Sequence, residues 1–227
     1  MRIIAGNFRG RRLLGPESDT TRPITDRVKQ SIFDIVAGLL PDAVVYDVFA
    51  GTGSFGLESL SRGASTAVFF ERDRSALVRL NRNIDTLDVR QQAVVVTRDV
   101  FRILTADEEA AAPAVDAPNG NAPTGNAPSG SSATGNSATG SAPPWPAADV
   151  IFFDPPYRFV DDQPDQVRGL LLRLSRRLQP DGLIVFRHDA ASHLDVPELR
   201  LDDRRTYGSM TLNLLRRPEE PDKIQHM

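Results

Sequence analysis

Asp47-Val48-Phe49-Ala50-Gly51-Thr52-Gly53-Ser54-Phe55-Gly56 decides how this chain folds. The stretch starts inside a short apolar run, Val44–Val48, and ends in the spacing G-x-G-x-x-G. A short apolar run stopped by glycines reads as a strand that turns sharply into a helix. Glu71 lies twenty residues after Gly51, at the end of the next apolar run, Ala67–Phe70. Strand, glycine turn, helix and an acid closing the second strand form a dinucleotide-binding arrangement. The same glycines also suit a tight turn with no ligand.

The alternation continues outward. Thr25 is placed to cap a helix whose apolar stripe is Val28, Ile32, Val36 and Leu39. Leu77, Leu80, Ile84 and Leu87 mark one helix face; Val167, Leu170, Leu171, Leu174 and Leu178 mark another. Ala93–Val96, Val150–Phe153 and Leu183–Phe186 read as further strands. Leu199–Thr206 and Met210–Leu215 read as a closing hairpin around Tyr207-Gly208. Alternating strands and helices predict an α/β fold, a parallel sheet covered by helices on both faces.

Between Ala110 and Ala148 the pattern collapses: 36 of the 39 residues are Ala, Pro, Gly, Ser, Thr or Asn. Ordering a residue costs about 1–2 kcal/mol of backbone entropy, and this tract has almost no apolar surface to offset it. The expected organisation is a basic arm over 1–24, a first half-domain over 25–104, a disordered insert over 105–148, a second half-domain over 149–217 and a tail over 218–227. The formal net charge is −3, from 27 basic and 30 acidic residues. Without Thr105–Ala148 the remaining 183 residues carry 27 bases against 26 acids. Met1–Lys29 alone holds seven bases and three acids. All but two of the bases are arginine, whose planar fork suits phosphate.

The chain has no cysteine, which excludes disulfides, cysteine-zinc sites and thiolate nucleophiles. His188, His193 and His226 have no metal-ligand spacing, so no metal is expected. No apolar run approaches the ~20 residues of a membrane span. The amino terminus has no signal-like stretch. A cytoplasmic protein without a membrane contact is the expectation.

Two cofactors compete for the glycine turn. NAD fits the spacing. S-adenosylmethionine fits the same geometry, with Glu71 on the ribose. Asp47 favours the second, because an acid there faces a cationic amino-acid group, whereas it would repel a pyrophosphate. Asp99 follows the third strand, where a carboxylate can accept from an adenine amine or simply cap a helix.

Asp154-Pro155-Pro156-Tyr157 ends the fourth strand, where open α/β sheets place ligands. The exocyclic amine of a base is a weak nucleophile because its lone pair is delocalised. Two acceptors on its N–H groups favour pyramidalisation and aim the lone pair at a methyl donor. Asp154 supplies one acceptor and the Pro155 carbonyl the other, on backbone stiffened by Pro156. Tyr157 offers a face on which an extruded base stacks. A plain Pro-Pro turn with Tyr157 in the core is the alternative.

The Asp47–Gly53 and Asp154–Tyr157 stretches together resemble the class I amino-methyltransferases. Met1–Leu13, Thr21-Arg22-Pro23, Asp26–Lys29, Leu57–Ala64 and Tyr207-Gly208 resemble the RsmD family, 16S rRNA (guanine(966)-N2)-methyltransferases. This resemblance implies a Rossmann-like class I methyltransferase sheet. By position it implies that Asp47, Phe49, Gly51 and Gly53 line the methionine end of S-adenosyl-L-methionine, with Glu71 on the ribose and Asp99 on the adenine. Thr21 would close the cleft, Asp154, Pro155, Pro156 and Tyr157 would hold the guanine, and Arg9, Arg11, Arg12 and Arg22 would contact rRNA. The implied partner is 16S rRNA in the 30S subunit or an assembly intermediate, bound by a monomer. Two features depart from the family pattern: the 110–148 tract, and Arg187, where an acid is expected. Alternatives that stay open are a DNA adenine-N6 or other nucleic-acid amino-methyltransferase and a nonenzymatic RNA-binding protein. An NAD oxidoreductase is the weakest.

Overall fold

The computed structural model describes residues 1–16, 24–103 and 145–218. Six helices and seven strands lie among them: α1 (Asp26–Ile35), β1 (Val44–Val48), α2 (Ser54–Ser61), β2 (Thr66–Phe70), α3 (Arg74–Leu87), β3 (Ala93–Val96), α4 (Val100–Ile103), β4 (Ala148–Phe153), α5 (Tyr157–Asp162), α6 (Pro164–Ser175), β5 (Leu178–Asp189), β6 (Arg200–Tyr207) and β7 (Met210–Arg216). The strands form one sheet in the order β3-β2-β1-β4-β5-β7-β6. β1 to β5 pair in parallel, and β7 runs antiparallel between β5 and β6.

Alternation along the strands splits the core into two layers. Val45, Phe69, Val150, Phe152 and Val185 pack with Ile32 and Phe33 of α1, Phe55 and Leu57 of α2, and Leu80 and Ile84 of α3. Tyr46, Val68, Phe70, Ile151, Phe153 and Phe186 pack on the opposite face with α4, α5 and α6. The chain is therefore an α/β protein with a Rossmann-like sheet covered on both faces. After β1 it winds outward one way through β2 and β3, then returns to build β4 and β5 on the other side. The crevice beyond the carboxyl ends of β1 and β4 is thus the topological switch point, where such sheets bind ligands.

Several boundaries differ from expectation. α1 stops at Ile35, so Val36 is its C-cap and Leu39 lies in a separate 3-10 turn. Leu178 opens β5 rather than closing α6, because Pro180 cannot continue a helix and disfavours helical backbone just before it. The expected insert, 105–148, lies mostly outside the described residues, but its last four positions do not belong to it. Trp145 is buried against Phe70, edge on, with ring centroids 5.6 Å apart. The Tyr46 hydroxyl donates to the Pro146 carbonyl at 2.6 Å, and Ala148 already belongs to β4. One aromatic ring offsets the local lack of apolar surface that composition reports.

The described start of the basic arm is folded. Met1–Leu13 folds into a narrow hairpin: the Ile3 amide donates to Arg11, Gly10 to Ile3 and Leu13 to Met1. Its anchor is Glu58 of α2, a fully buried acid. The amides of Ile4 and Ala5 donate to its two oxygens, and Lys29 and Arg62 form ion pairs with it at 2.9 and 3.0 Å. Gly6 makes the closest approach. Its φ is +79°, and a Cβ there would lie 1.8 Å from the Ser61 carbonyl oxygen.

Candidate active site

β1 ends at Val48, and the next five residues turn at the switch point. Phe49, Gly51 and Gly53 all have positive φ (63°, 56° and 85°). Gly53 is required twice over, since a Cβ would also meet Leu80 Cδ1 at 2.5 Å. At Gly51 the reverse holds: a Cβ would meet nothing within 4 Å, so the turn borders open space there. Phe49 pays its backbone strain back by packing. Its ring lies 5.7 to 6.1 Å from those of Phe153, Phe101 and Phe159, which joins the ends of β1 and β4 to α4 and α5.

Two acids flank the turn. Glu71 accepts from the Gly51 amide at 2.7 Å and from the amides of Arg72 and Asp73 at 2.8 and 2.7 Å. Three of its four lone-pair sites are thereby used, which fixes the carboxylate and leaves one site for a ligand hydroxyl. Asp47 is 1% exposed and accepts from the Gly56 amide at 2.8 Å. Burial pushes its carboxyl up to about 7; the amides of Gly56 and Phe55 oppose this, and the charges of Asp154 and Glu71 add to it. A buried acid held at the edge of ionisation has unmet demand for a cation. Asp99 is different. It accepts from the Phe101 amide at the start of α4 and pairs with Arg72 at 2.6 Å, so each of its oxygens already has a partner.

Asp154-Pro155-Pro156-Tyr157 sits beside this turn. The Asp154 amide donates to the Val48 carbonyl at 3.3 Å, extending the ladder one step past both strands. Oδ1 of Asp154 accepts from Arg187 Nε at 2.6 Å. Oδ2 and the carbonyl of the buried Pro155 have no donor among the described residues. The Asp154 side chain keeps 18% of its surface exposed, so acceptors without a protein donor here are open to a ligand that donates. Burial raises the Asp154 carboxyl above its ordinary value, while the Arg187 guanidinium pulls it back. Tyr157 begins α5 and is half-buried, with the Arg187 guanidinium carbon 5.4 Å from its ring centroid.

The structure thus brings Asp47, Phe49, Gly51, Gly53, Glu71 and Asp154–Tyr157 to one crevice. Asp99 lies at the end of β3, two strands away from β1. Thr21 and Arg22 fall outside the described residues. Arg9, Arg11 and Arg12 are exposed on the hairpin and have no acidic partner among the described residues. With Arg2, Asp26, Arg27 and Gln30, Arg9 lines a hollow of about 320 Å³ between hairpin and α1. The hairpin reaches the glycine turn through Asn83, which accepts from the Leu14 amide and donates to the carbonyls of Leu14 and Thr52. Sequence reasoning missed Glu58 and Asn83, though a lone acid inside the apolar stretch Phe55–Leu60 was a usable signal.

The family described as Conserved hypothetical protein 95 matches residues 1–116 and 132–216. The chain belongs to this family, the RsmD family of methyltransferases. YlbH of Bacillus subtilis is 31% identical over 212 residues, covering 92% of this chain and 94% of that one. Ribosomal RNA small subunit methyltransferase D of Haemophilus influenzae is 29% identical over 199 residues, covering 87% and 83%. Among solved structures, yhhF of Escherichia coli superposes with a TM-score of 0.69 at 27% identity, covering 96% and 97%. An RNA methyltransferase from Salinibacter ruber, solved with S-adenosyl-L-homocysteine, has a TM-score of 0.54 over 88% of this chain and 97% of that one. At 14% identity that likeness concerns the fold. Within this RsmD-family chain the two family stretches singled out in the sequence, Asp47–Gly53 and Asp154–Tyr157, border the same crevice.

Proposed function

We propose that this methyltransferase moves the methyl group of S-adenosyl-L-methionine to the exocyclic N2 amine of a guanine in 16S rRNA of the small ribosomal subunit. One observation carries the reading. Two acceptors without donors among the described residues, Asp154 Oδ2 and the Pro155 carbonyl, lie at the end of β4 beside the glycine turn of β1. An amine with two N–H groups is the donor that satisfies both.

S-adenosyl-L-methionine, when bound, supplies an electrophilic methyl group on a sulfonium. The residues around the crevice fit it: open space above Gly51, an ordered carboxylate at Glu71, and Asp47 in want of a cation. Glu71 holds a ribose hydroxyl, Asp47 balances the ammonium of the methionine end, and Asp99 stands at the adenine end. Asp154 and the Pro155 carbonyl would then accept hydrogen bonds from the two amine N–H groups. This concentrates the nitrogen lone pair on one side of the base plane and strengthens as positive charge develops on nitrogen. One of those protons is lost to Asp154 or to solvent once the nitrogen carries the methyl group. Tyr157 gives the flipped base a stacking surface. The work is positioning and electrostatics, with no covalent intermediate.

The hairpin supplies the RNA contact. Arg9, Arg11 and Arg12 project from a rigid turn held by Glu58, so their charges reach phosphates at a fixed register to the crevice. Arg22 follows in the segment leading to α1.

The test is transfer of tritium from labelled donor to 30S subunits lacking the modification, with naked 16S rRNA and duplex DNA as parallel acceptors. Wild type is expected to label the 30S particle at a guanine N2, and Asp154→Ala to lose at least a hundredfold in rate. Labelling of DNA in preference to rRNA, or full activity in Asp154→Ala, refutes the reading.

A further inference from the structure

Arg187 borders the crevice beside Asp154. Phe153 of β4 and Phe186 of β5 are register partners, so Asp154 and Arg187 are the next residues along two adjacent parallel strands. Three elements brace the guanidinium. Nε donates to Asp154 Oδ1 at 2.6 Å, Nη1 lies 3.6 Å from Met210 Sδ of β7, and the guanidinium carbon lies 5.4 Å from the Tyr157 ring centroid. Both side chains of the ion pair are largely shielded, 13% and 18% exposed.

We propose that Arg187 is a positioning residue for methyl transfer: it clamps Oδ1 of Asp154 and backs the Tyr157 ring, leaving Oδ2 as the acceptor for the substrate amine. The inference rests on the function proposed above. A carboxylate turns about its terminal bond through a broad, roughly two-fold profile, so an unclamped Asp154 would exchange its two oxygens and blur the direction of the lone pair it recruits. A guanidinium suits the task better than an ammonium, because one N–H, on Nε, holds Oδ1 while another nitrogen, Nη1, reaches Met210 and the guanidinium carbon stays near the Tyr157 ring. It also opposes the rise that burial imposes on the Asp154 carboxyl. A lone buried charge is expensive, and Arg187 is the cation beside this one.

The charged and titratable groups around Asp154 are Asp47 on β1, Tyr157 on α5, and Arg187 on β5. Glu71 at the end of β2 acts on Asp47, and Asp189 at the end of β5 acts on Tyr157. Two readouts separate the roles. In the first, Arg187→Ala and Arg187→Lys are compared with wild type in methyl transfer to 30S subunits, with kcat and KM resolved and the pH profile recorded. Arg187→Ala is expected to lose about 10- to 100-fold in kcat, the scale of a misplaced reacting group. Its affinity for S-adenosyl-L-methionine should stay within twofold, and the acid limb of its profile should move to higher pH. Arg187→Lys should recover part of the rate. Arg187→Gln, which keeps a donor and removes the charge, serves if Arg187→Ala unfolds.

In the second, carboxyl-carbon NMR follows the Asp154 titration directly, without substrate. Arg187→Gln should raise its midpoint. An unchanged midpoint, or a kcat and pH profile that superimpose on wild type, overturns the assignment of Arg187. A wild-type protein that labels no guanine overturns the functional reading, and the Asp154 titration then still decides what Arg187 does.

Discussion

Asp47 makes the cofactor site sensitive to pH in a way that can be worked through. Its carboxyl is buried, with a pKa of about 7 in the free protein. At pH 5 about one carboxyl in a hundred is ionised, and at pH 7 about half. If the ammonium of the donor binds next to the ionised form, affinity should rise roughly 50-fold between those values, and binding at pH 6 should release close to one proton. Titration calorimetry in two buffers of different ionisation enthalpy measures both quantities at once. Asp47→Asn keeps the shape of the side chain and an acceptor for the Gly56 amide, so it should bind more weakly at pH 7 and with little pH dependence. The same substitution should stabilise the free protein. An acid whose pKa is higher when folded binds more protons in the folded state, so its cost is absent below about pH 4 and complete above about pH 7. A shift of this size corresponds to at most a few kcal/mol, so Asp47→Asn should unfold several degrees higher at pH 8 and at the same temperature as wild type near pH 4. An affinity that stays flat from pH 5 to pH 7, with no proton released, would refute the pairing of Asp47 with the ammonium.

Three further outcomes follow from the packing. Glu58→Ala leaves Lys29 buried without its anion and unhooks the amides of Ile4 and Ala5, so urea unfolding should show a loss of about 3–5 kcal/mol. Gly6→Ala forces the hairpin off Ser61; it should raise KM for the 30S particle several-fold while calorimetry finds donor affinity within twofold of wild type. Deleting residues 112–140 should leave the melting temperature and methyl transfer unchanged, whereas Trp145→Ala should cost about 3–5 kcal/mol of stability, because it empties a packed site beside Phe70. Equal effects from those last two changes would show that Trp145 is not the anchor of β4.

Much of the fold was legible because its signals are local. A strand ending in glycines, stripes at three and four residues, and prolines after an apolar run each follow from rules that act over a few residues. The crevice followed with them, since the switch point of a parallel sheet is set by strand order and the two family stretches end β1 and β4. The insert boundary was misplaced because composition averages over a window and cannot register one buried ring at Trp145. Asp99 was harder still: an acid after a strand serves a ligand, a helix start or an ion pair equally well, and the structure gives it the last two.

By itself the sequence determined the alternating α/β architecture, the glycine turn with Glu71 behind it, the Asp154–Tyr157 tetrapeptide and the arginine-rich start. Tertiary structure decided which groups are already engaged and which are open. It tied the hairpin to Glu58, used both oxygens of Asp99, gave Oδ1 of Asp154 to Arg187, and left Oδ2 and the Pro155 carbonyl without donors among the described residues. Apart from the Asp99–Phe101 contact at the start of α4, those pairings join residues 27 to 54 apart, and pairing at that range has no period to read. It exists only once the sheet has set neighbouring strand ends side by side.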